Sequence, residues 1–325
     1  MMTDRGRDTM NLWGDKRYHS LDYHIKNTYG EKLYKISLNG GMTCPNRDGT
    51  LGNRGCIFCS AGGSGDFAGN PKISIKEQLE QGRKLLNQKY SGASYIAYFQ
   101  AFTNTYAPVS YLEKIFMEAI SEPDVKVLSI ATRPDCLSPE VLTLLESLNK
   151  IKPVWVELGL QTIHSETADF IRRSYPLDVF EKAVYDLKKI GITVIVHTIL
   201  YLPNETKEMM LETISYLNAL PIDGIKLQLL HVLKGTDLAL VYDKTPFHLP
   251  SMDEYIEFLG CIVSHIRPDI VIHRLTGDGP KKLLIAPLWT GNKRLVLNRI
   301  QQYFKNADIL QGKDISCQNH LHSIN

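Results

Sequence analysis

Apolar runs that favour β-strands alternate with helix-like stretches along most of the chain. Several runs are almost continuously apolar, for example Val194-Ile195-Val196, which is typical of strands covered on both faces in parallel α/β sheets. The pattern predicts strands at 33–38, 95–99, 125–131, 154–160, 193–200, 224–230 and 270–275. It predicts helices at about 74–90, 109–120, 138–150, 165–190 (in two pieces), 206–219 and 251–266.

The expected helix ends agree with this reading. Ser138-Pro139-Glu140 combines a capping serine, a proline at the first helical position and an early carboxylate. Six or seven consecutive β-α units in about 240 residues favour one α/β domain built as a full or partial (β/α) barrel. A doubly wound open sheet stays open as the alternative, because periodicity alone does not separate the two.

The pattern divides the chain into three parts. We expect the barrel at 33–275, an N-terminal extension at 1–32 and a C-terminal extension at 276–325. Within the second extension, residues 292–304 read as a helix with one apolar side. The side chains expected on that side are Leu295, Leu297, Ile300 and Phe304.

Composition narrows the class of protein. Of the 325 residues 43% are hydrophobic and 22% are charged, as in ordinary globular chains, which excludes disorder, collagen and coiled coil. The 37 Lys and Arg exceed the 35 Asp and Glu by only 2, so a strongly basic DNA-coating protein is excluded, although a local basic face could hold RNA. The candidates for that face are Lys16, Arg17, Lys281, Lys282, Lys293, Arg294 and Arg299. Without a long apolar run or an apolar N-terminal segment, we expect a soluble cytoplasmic protein with no membrane span.

Three of the six cysteines form a cluster. Cys44, Cys56 and Cys59 have the spacing Cys-x11-Cys-x2-Cys and directly follow the first predicted strand. In a β/α barrel the C-terminal ends of the strands carry the active site. In a reducing cytoplasm, clustered cysteines indicate metal binding or redox chemistry.

Two kinds of metal site fit this spacing to different degrees. Three thiolates can hold three corners of a cubane iron–sulfur cluster and leave the fourth iron without a protein ligand. Zinc is the alternative, but a structural zinc site wants four protein ligands, and no His occurs between Cys59 and His164. The remaining cysteines, Cys136, Cys261 and Cys317, are widely separated and are expected to be spectators.

The cysteine loop and several further segments together resemble the radical S-adenosylmethionine (SAM) superfamily. Within it they are most similar to the elongator-like branch and to its bacterial YtqA/YhcC-type subgroup. The spacing is wider than the common Cys-x3-Cys-x2-Cys of that superfamily. The segments that carry the resemblance are 38–59, 98–106, 131–135, 157–162, 172–173, 197–206, 231–236 and 273–280. The resemblance implies a partial (β/α) barrel of about six units. It also implies a [4Fe–4S] cluster held by Cys44, Cys56 and Cys59, and a 5′-deoxyadenosyl radical made from SAM.

The resemblance also implies positions for SAM contacts. Glu157, in Glu157-x-Gly159-x-Gln161, occupies the place of a ribose-contacting residue, and Arg173 fits a partner for the methionine carboxylate. A structural carboxylate and a solvated basic face are the alternatives for these two. The loop after the second strand lacks the Gly-Gly-Glu that many members use for the SAM amino group. Its polar residues Gln100, Thr103 and Asn104 are the candidates instead, and Gln161 completes the set of expected cofactor contacts.

Later strands carry polar residues whose role depends on the direction they face. Lys226 and Gln228 alternate along the sixth strand and would be substrate contacts if that face lines the barrel, because a buried lysine is otherwise hard to accommodate. His197, His231 and His273 are expected to be hydrogen-bonded core residues.

The resemblance further implies an enzyme of tRNA wobble-uridine modification, which matures 5-carboxymethylaminomethyl-uridine towards the aminomethyl and methylaminomethyl forms. Its partners would be tRNA, a flavodoxin- or ferredoxin-like electron donor and a partner methyltransferase. Two rivals remain. One is a radical SAM enzyme acting on a small-molecule cofactor precursor, and the other is a noncatalytic metal-bearing RNA-binding protein.

Overall fold

A computed structural model describes residues 13–87, 92–277 and 279–315 of the chain. The strands are β1 (Leu33–Leu38), β2 (Ser94–Phe99), β3 (Val125–Thr132), β4 (Val154–Gln161), β5 (Thr193–Leu200), β6 (Gly224–Leu229), β7 (Val232–Leu233), β8 (Val271–Arg274) and β9 (Leu284–Ala286). The helices are α1 (Leu21–Tyr29), α2 (Ile75–Asn87), α3 (Val109–Ile120), α4 (Pro139–Asn149), α5 (Ser165–Phe170), α6 (Leu177–Lys189), α7 (Lys207–Ala219), α8 (Asp237–Lys244), α9 (Met252–Ser264) and α10 (Lys293–Asn306).

One parallel sheet of seven strands, in the order β1-β2-β3-β4-β5-β6-β8, organises the molecule. The strands follow one another in chain order, whereas a doubly wound sheet reverses its order at a switch point. The doubly wound alternative is therefore wrong. Among the described residues β1 and β8 do not pair, so the sheet is an open, partial barrel. Its seven strands are the seven that the sequence predicted.

Apolar residues close the bottom of the barrel. Ile96, Val127, Trp155 and Ile195 point inward from neighbouring strands and pack with Ile25 of α1. The sequence pattern predicted no helix here and assigned residues 1–32 to an extension, the segment that contains α1. Its apolar side instead forms the floor on which the inner face of the sheet rests, so the opening lies at the opposite end, where the strands finish.

The N-terminal and C-terminal segments of the described chain meet beside β8. Arg17 donates to the carbonyl of Ile309 at 2.5 Å and pairs with Asp308. The backbone N–H of His19 donates to Gln311 Oε1 at 2.8 Å. The proposed three-part division of the chain stays a prediction.

Helix α10 confirms the helix expected in the C-terminal extension, with Asn292 as its cap. Its apolar side differs in one respect from the expected one. Leu295 is 44% exposed, whereas Val296, Ile300 and Phe304 are buried. In the described part of the chain, none of the helices combines the length and the apolar character that a membrane span requires.

Candidate functional site

A cavity of about 270 Å³ lies at the C-terminal ends of the barrel strands. It is bounded on one side by the cysteine loop after β1 and on the other by inward-facing residues of β2 to β6 and β8. Its lining includes Cys44, Cys56, Cys59, Tyr98, Gln100, Thr103, Arg133, Glu157, Gly159, Gln161, Arg173, Tyr175, His197, Lys226, Gln228, His231 and Arg274. This position is the one that the barrel fold predicts for an active site.

The cysteine loop is held in place by its own polar groups. Arg47 donates to the backbone carbonyls of Cys59, at 3.0 Å, and Ser60, at 2.7 Å. Asn46 donates to the Arg172 carbonyl at 2.7 Å and lies 3.5 Å from Cys56 Sγ. The loop therefore presents its sulfur atoms from a cross-linked backbone rather than from a free segment.

All three cysteines of the loop are free thiols that line the cavity, and their role as cluster ligands stays a prediction. Burial, followed by the charges of Cys59 and Cys44, raises the pKa of Cys56 to about 12. The Cys56 thiol therefore needs a positively charged partner, such as a metal centre, to ionise near neutral pH.

This arrangement fits the expected cluster. Among the described residues, no three His, Cys, Asp or Glu side chains converge on a point in the way that one metal ion requires. A cubane cluster takes each thiolate at a different iron, so its ligands surround a common space instead of a common point. Cys44, Cys56 and Cys59 would hold the cluster at this edge of the cavity. It would supply the electron that cleaves SAM.

Glu157 is the centre of a buried polar network on the inner face of the barrel. Its Oε1 accepts from Lys35 Nζ at 3.1 Å and from Ser129 Oγ at 2.9 Å. Its Oε2 accepts from His197 Nε2 at 2.7 Å and from Lys226 Nζ. Although burial opposes ionisation, the charges of Lys226 and Lys35 hold the pKa of Glu157 well below its usual range.

Four donors fill the acceptor positions of the Glu157 carboxylate, which offers about four lone-pair sites. In this structure Glu157 matches the structural alternative, since its carboxylate pairs with Lys35 and Lys226. Its ribose role stays a prediction, and it would require one of these bonds to be exchanged.

Lys226 and His197 occupy neighbouring positions of one row across the sheet. His197 pairs with Lys226 between β5 and β6, so their side chains share the inner face. Both line the cavity, and Gln228 does so two residues further on, which confirms that this face of β6 lines the barrel. Burial, with the charge of Lys226 as the second cause, lowers the pKa of His197 to about 4, so this ring is neutral near pH 7. Burial also lowers the pKa of Lys226, despite the opposing charge of Glu157.

Arg173 lies at the cavity, but its guanidinium already serves the backbone. It donates to the carbonyls of Thr162 at 2.6 Å, Tyr175 at 3.1 Å and Leu160 at 3.3 Å. Arg173 and Arg133 also lie on the Tyr175 ring, each 4.9 Å from its centroid. The carboxylate contact expected of Arg173 stays a prediction, and Arg133 is a second guanidinium beside the same ring.

The candidates after β2 and β4 fall into two groups. Gln100, Thr103 and Gln161 line the cavity. Gln161 has a φ of 70°, an uncommon conformation for a non-glycine residue that turns the chain at the end of β4. Asn104 does not belong to the cavity lining. Its amide instead donates to the carbonyls of Phe99 at 3.1 Å and Ala131 at 2.8 Å, and it ties β2 to β3.

Several lining residues were not among the expected cofactor contacts. Tyr98 lies between two ammonium groups, with Lys226 Nζ 4.5 Å and Lys35 Nζ 4.8 Å from its ring centroid. Arg274 comes from β8, and Tyr175 from the segment after α5. Lys35 and Tyr98 could have been found from the period-two alternation that identified Lys226. Tyr175 lies outside any strand, and no pattern signals it.

Comparison with known proteins gives two family matches. Residues 49–217 match the radical SAM superfamily, and residues 222–306 match the radical SAM C-terminal domain. The chain is 44% identical over 299 residues to the uncharacterized protein YtqA of Bacillus subtilis, across 92% of this chain and 93% of that protein. Protein YhcC of Escherichia coli is 35% identical over 285 residues, across 87% of this chain and 91% of that protein.

More distant similarities point to elongator-type proteins. The tRNA uridine(34) acetyltransferase of Methanocaldococcus jannaschii is 26% identical over 195 residues, 59% of this chain and 35% of that protein. The solved structure of archaeal Methanocaldococcus infernus Elp3 with an N-terminal deletion matches with a TM-score of 0.65 at 16% identity, over 86% of this chain and 64% of that one. The chain thus spans less than two thirds of both proteins, and the second likeness shows the fold alone. With its superfamily match over more than half of its length and three free cysteines at the barrel mouth, the chain belongs to the radical SAM superfamily, whose enzymes use a [4Fe–4S] cluster and SAM.

Proposed function

We propose that this radical SAM enzyme acts on tRNA and matures 5-carboxymethylaminomethyl-uridine at the wobble position towards the aminomethyl and methylaminomethyl forms. The observation that carries the radical chemistry is the loop that brings Cys44, Cys56 and Cys59 to one cavity with inward-facing polar side chains. The likeness to a tRNA uridine(34) acetyltransferase supports the choice of tRNA as substrate.

The cavity suits chemistry that must be shielded from water. The radical chemistry belongs to the cofactors, and the protein positions them and excludes competing reactions. Here the apolar floor around Trp155 closes one end, and buried groups such as Glu157 and Lys226 line the wall above it. The proposed SAM contacts are Gln100, Thr103, Gln161 and Arg173, with Glu157 as the ribose partner after exchange of one hydrogen bond.

The proposal includes three partners and a location. A flavodoxin- or ferredoxin-like protein would deliver the electron, tRNA would be the substrate, and a separate methyltransferase would add the methyl group of the final form. We place the reaction in the cytoplasm, where the tRNA is.

Nucleoside profiling tests the proposal. In cells that lack the protein, tRNAs that read Glu, Gln or Lys codons should accumulate 5-carboxymethylaminomethyl-uridine derivatives at the expense of the methylaminomethyl forms. A plasmid copy should restore the wild-type profile, and a copy with Cys56→Ala should not. Unchanged wobble nucleosides together with accumulation of another metabolite would favour a small-molecule substrate. Such a result would overturn the tRNA assignment and leave the superfamily assignment intact.

A further inference from the structure

The Asn46 side chain is a buried polar group of the cysteine loop. It lies two residues after Cys44 and is only 3% exposed. Asn46 is not among the residues that line the cavity, and it lines a second pocket instead, together with Gly55 and Arg172. It is therefore not placed to contact a ligand in the cavity directly, and any effect on the site acts through the residues of the loop.

The Asn46 amide has two acceptors on its nitrogen side. Nδ2 donates to the Arg172 carbonyl at 2.7 Å and lies 3.5 Å from Cys56 Sγ. The second distance is normal for a hydrogen bond to sulfur, because a sulfur atom is larger than an oxygen atom. An asparagine NH₂ group has two hydrogens, so it makes both contacts at once.

The partners of the amide fix its orientation. A half-turn would place Oδ1 against the Arg172 carbonyl oxygen, and two acceptors repel each other. In the observed orientation Oδ1 is buried, and no described group donates to it. An unsatisfied buried oxygen costs free energy, so this orientation is favoured because both N–H groups have acceptors. The amide therefore directs its donors towards Cys56 and Arg172.

Backbone hydrogen bonds hold Cys56 at a fixed distance from Asn46. The Gly55 N–H, one residue before Cys56, donates to the Asn46 carbonyl at 2.7 Å. The Ile57 N–H, one residue after Cys56, donates to the Ile171 carbonyl at 3.2 Å. Both neighbours of Cys56 are thus anchored, one of them to Asn46 itself, so the contact between the amide and the sulfur follows from the path of the chain.

The contact at Cys59 is of another kind. Its Sγ lies 3.6 Å from the hydroxyl of Ser64, which is an exposed residue. A hydroxyl hydrogen rotates to suit its surroundings, and water competes for an exposed one. The Asn46 amide is shielded from water and has a fixed direction, so its effect on the Cys56 sulfur is constant.

We propose that Asn46 is a positioning residue that raises the reduction potential of the [4Fe–4S] cluster through its hydrogen bond to the Cys56 sulfur. The electron donor reduces the cluster by one electron, from [4Fe–4S]²⁺ to [4Fe–4S]⁺, and the ligating sulfurs gain negative charge. A hydrogen bond to sulfur stabilises the more negative state and so raises the potential. A cysteine ligand has lost its proton, so Cys56 can no longer donate to the Arg172 carbonyl, whereas it can still accept from Asn46.

This inference concerns the cluster alone and goes beyond the proposed function, because it holds whatever the substrate is. It takes Cys56 as a ligand, which the iron content of Cys56→Ala tests separately. It does not depend on the nucleoside profile that tests the tRNA proposal.

A redox titration tests the proposal on the full-length protein after anaerobic reconstitution, without SAM. The midpoint potential of the cluster is followed by EPR in the wild type, Asn46→Leu and Asn53→Leu. Leucine has the same branched outline as asparagine but no N–H group. We expect Asn46→Leu to lower the equilibrium constant for reduction by about tenfold, which is about 59 mV for one electron. Asn53→Leu makes the same change at an exposed position of the same loop and should keep the wild-type potential. SAM affinity should stay within twofold in both variants.

A second measurement uses the wild-type chain, in case Asn46→Leu takes up too little iron for a titration. With ¹⁵N in the side-chain amides of asparagine, pulsed EPR of the reduced cluster should show a ¹⁵N coupling. The reason is that the Asn46 nitrogen lies within hydrogen-bond distance of a ligating sulfur. The coupling should persist in Asn53→Leu.

The possible results separate support from refutation. A lower potential in Asn46→Leu alone, together with the ¹⁵N coupling in the wild type, supports the inference. An unchanged or higher potential in an Asn46→Leu protein with full iron overturns it, and so does an equal shift in Asn53→Leu or a wild type without the coupling. A Cys56→Ala variant that keeps full iron also overturns it, because Cys56 would then not be a ligand. If Asn46→Leu lacks iron, the coupling in the wild type decides the question.

Discussion

The Glu157 carboxylate holds four neighbouring side chains in place through its charge and its hydrogen bonds. It is a fully buried anion that accepts from two lysines, a serine and a histidine. Removing one member of a buried ion pair costs far more than a surface pair contributes, because the remaining charge keeps its desolvation penalty. A substitution at any of these residues therefore disturbs several hydrogen bonds and ion pairs at once. A measurement across a range of pH then says more about one residue than a single loss of activity does.

His197 gives such a measurement. Its folded-state pKa is lowered to about 4, whereas an unfolded histidine titrates near 6.5. A group whose pKa is lowered on folding contributes stability above its unfolded pKa, and this stability is lost as the pH falls towards the folded value. We expect the free energy of unfolding to drop between about pH 6.5 and pH 4, and His197→Gln to make that drop smaller. Urea unfolding of the cluster-free protein across this range measures both. His248→Gln, which replaces an exposed ring, is the control. The same pH dependence in His197→Gln and in the wild type would refute the lowered pKa of His197.

The cysteines allow a second prediction. We expect replacement of Cys44, Cys56 or Cys59 by Ala to abolish the broad visible absorption of anaerobically reconstituted protein, because each supplies one corner of the cluster. Cys136 and Cys261 are free but lie outside the loop, and their Ala variants should keep the full iron content. The same holds for Cys317, which lies outside the described residues. Full iron and SAM cleavage in all three loop variants would contradict the ligand set.

At the scale of elements, alternation and helical periodicity were enough to find the strands and most of the helices of the barrel, whereas the strand order of the structure was needed to exclude a doubly wound sheet. All seven predicted strands are present, and the predicted 165–190 segment divides into α5 and α6 as expected. Ser138 caps α4 by accepting from the Val141 N–H. These features are local, since a cap or an alternating strand depends on residues a few positions apart.

The missed features depend on contacts that are distant in sequence. Lys35 and Glu157 are separated by 122 residues, so nothing near Glu157 indicates that its carboxylate is already occupied. The role of α1 as the barrel floor was missed for the same reason. Whether Asn104 faces the cavity or the neighbouring strand depends on the path of the loop, which residue types do not determine.

In helix α2, core packing requires a glycine at a position where helix propensity alone would favour alanine. Gly82 lies inside this helix, where alanine would ordinarily be favoured by about 1 kcal/mol. A β-carbon at this position would overlap the γ-methyl group of Ile36 on β1. Overpacking a well-filled core costs about 1–3 kcal/mol, which exceeds the gain in propensity.

We therefore expect Gly82→Ala to lower the free energy of unfolding, by up to about 2 kcal/mol after the gain in helix propensity is subtracted. Gln81→Ala, at the exposed neighbouring position, should be close to neutral. Urea unfolding of both variants checks the difference. A more stable Gly82→Ala variant would show that the helix can shift away from β1 at little cost.

At the scale of the whole molecule, the basic groups proposed for tRNA contact are not equivalent. Arg17 pairs with Asp308, Arg299 with Asp253 and Lys16 with Asp15, so part of their charge is already compensated. Lys281 and Lys282 are exposed and directly follow Pro280, which lines the cavity. They are therefore well placed for a phosphate near a nucleotide that enters the barrel.

The last prediction follows from that placement. Each lysine that contacts a phosphate releases counterions on binding, so its removal lowers the affinity for tRNA and reduces the salt slope by about 1. We expect Lys281→Gln/Lys282→Gln to reduce the slope of log K against log salt by about 2, measured by filter binding or fluorescence anisotropy. The control is Lys150→Gln/Lys189→Gln, which removes the same charge at the C-terminal ends of α4 and α6. Those helix ends lie at the closed end of the barrel, because the helices run antiparallel to the strands, so this variant should bind like wild type. Equal slopes for the two double variants would mean that tRNA does not approach over the 281–282 edge, and the phosphate contacts would have to be sought elsewhere on the surface.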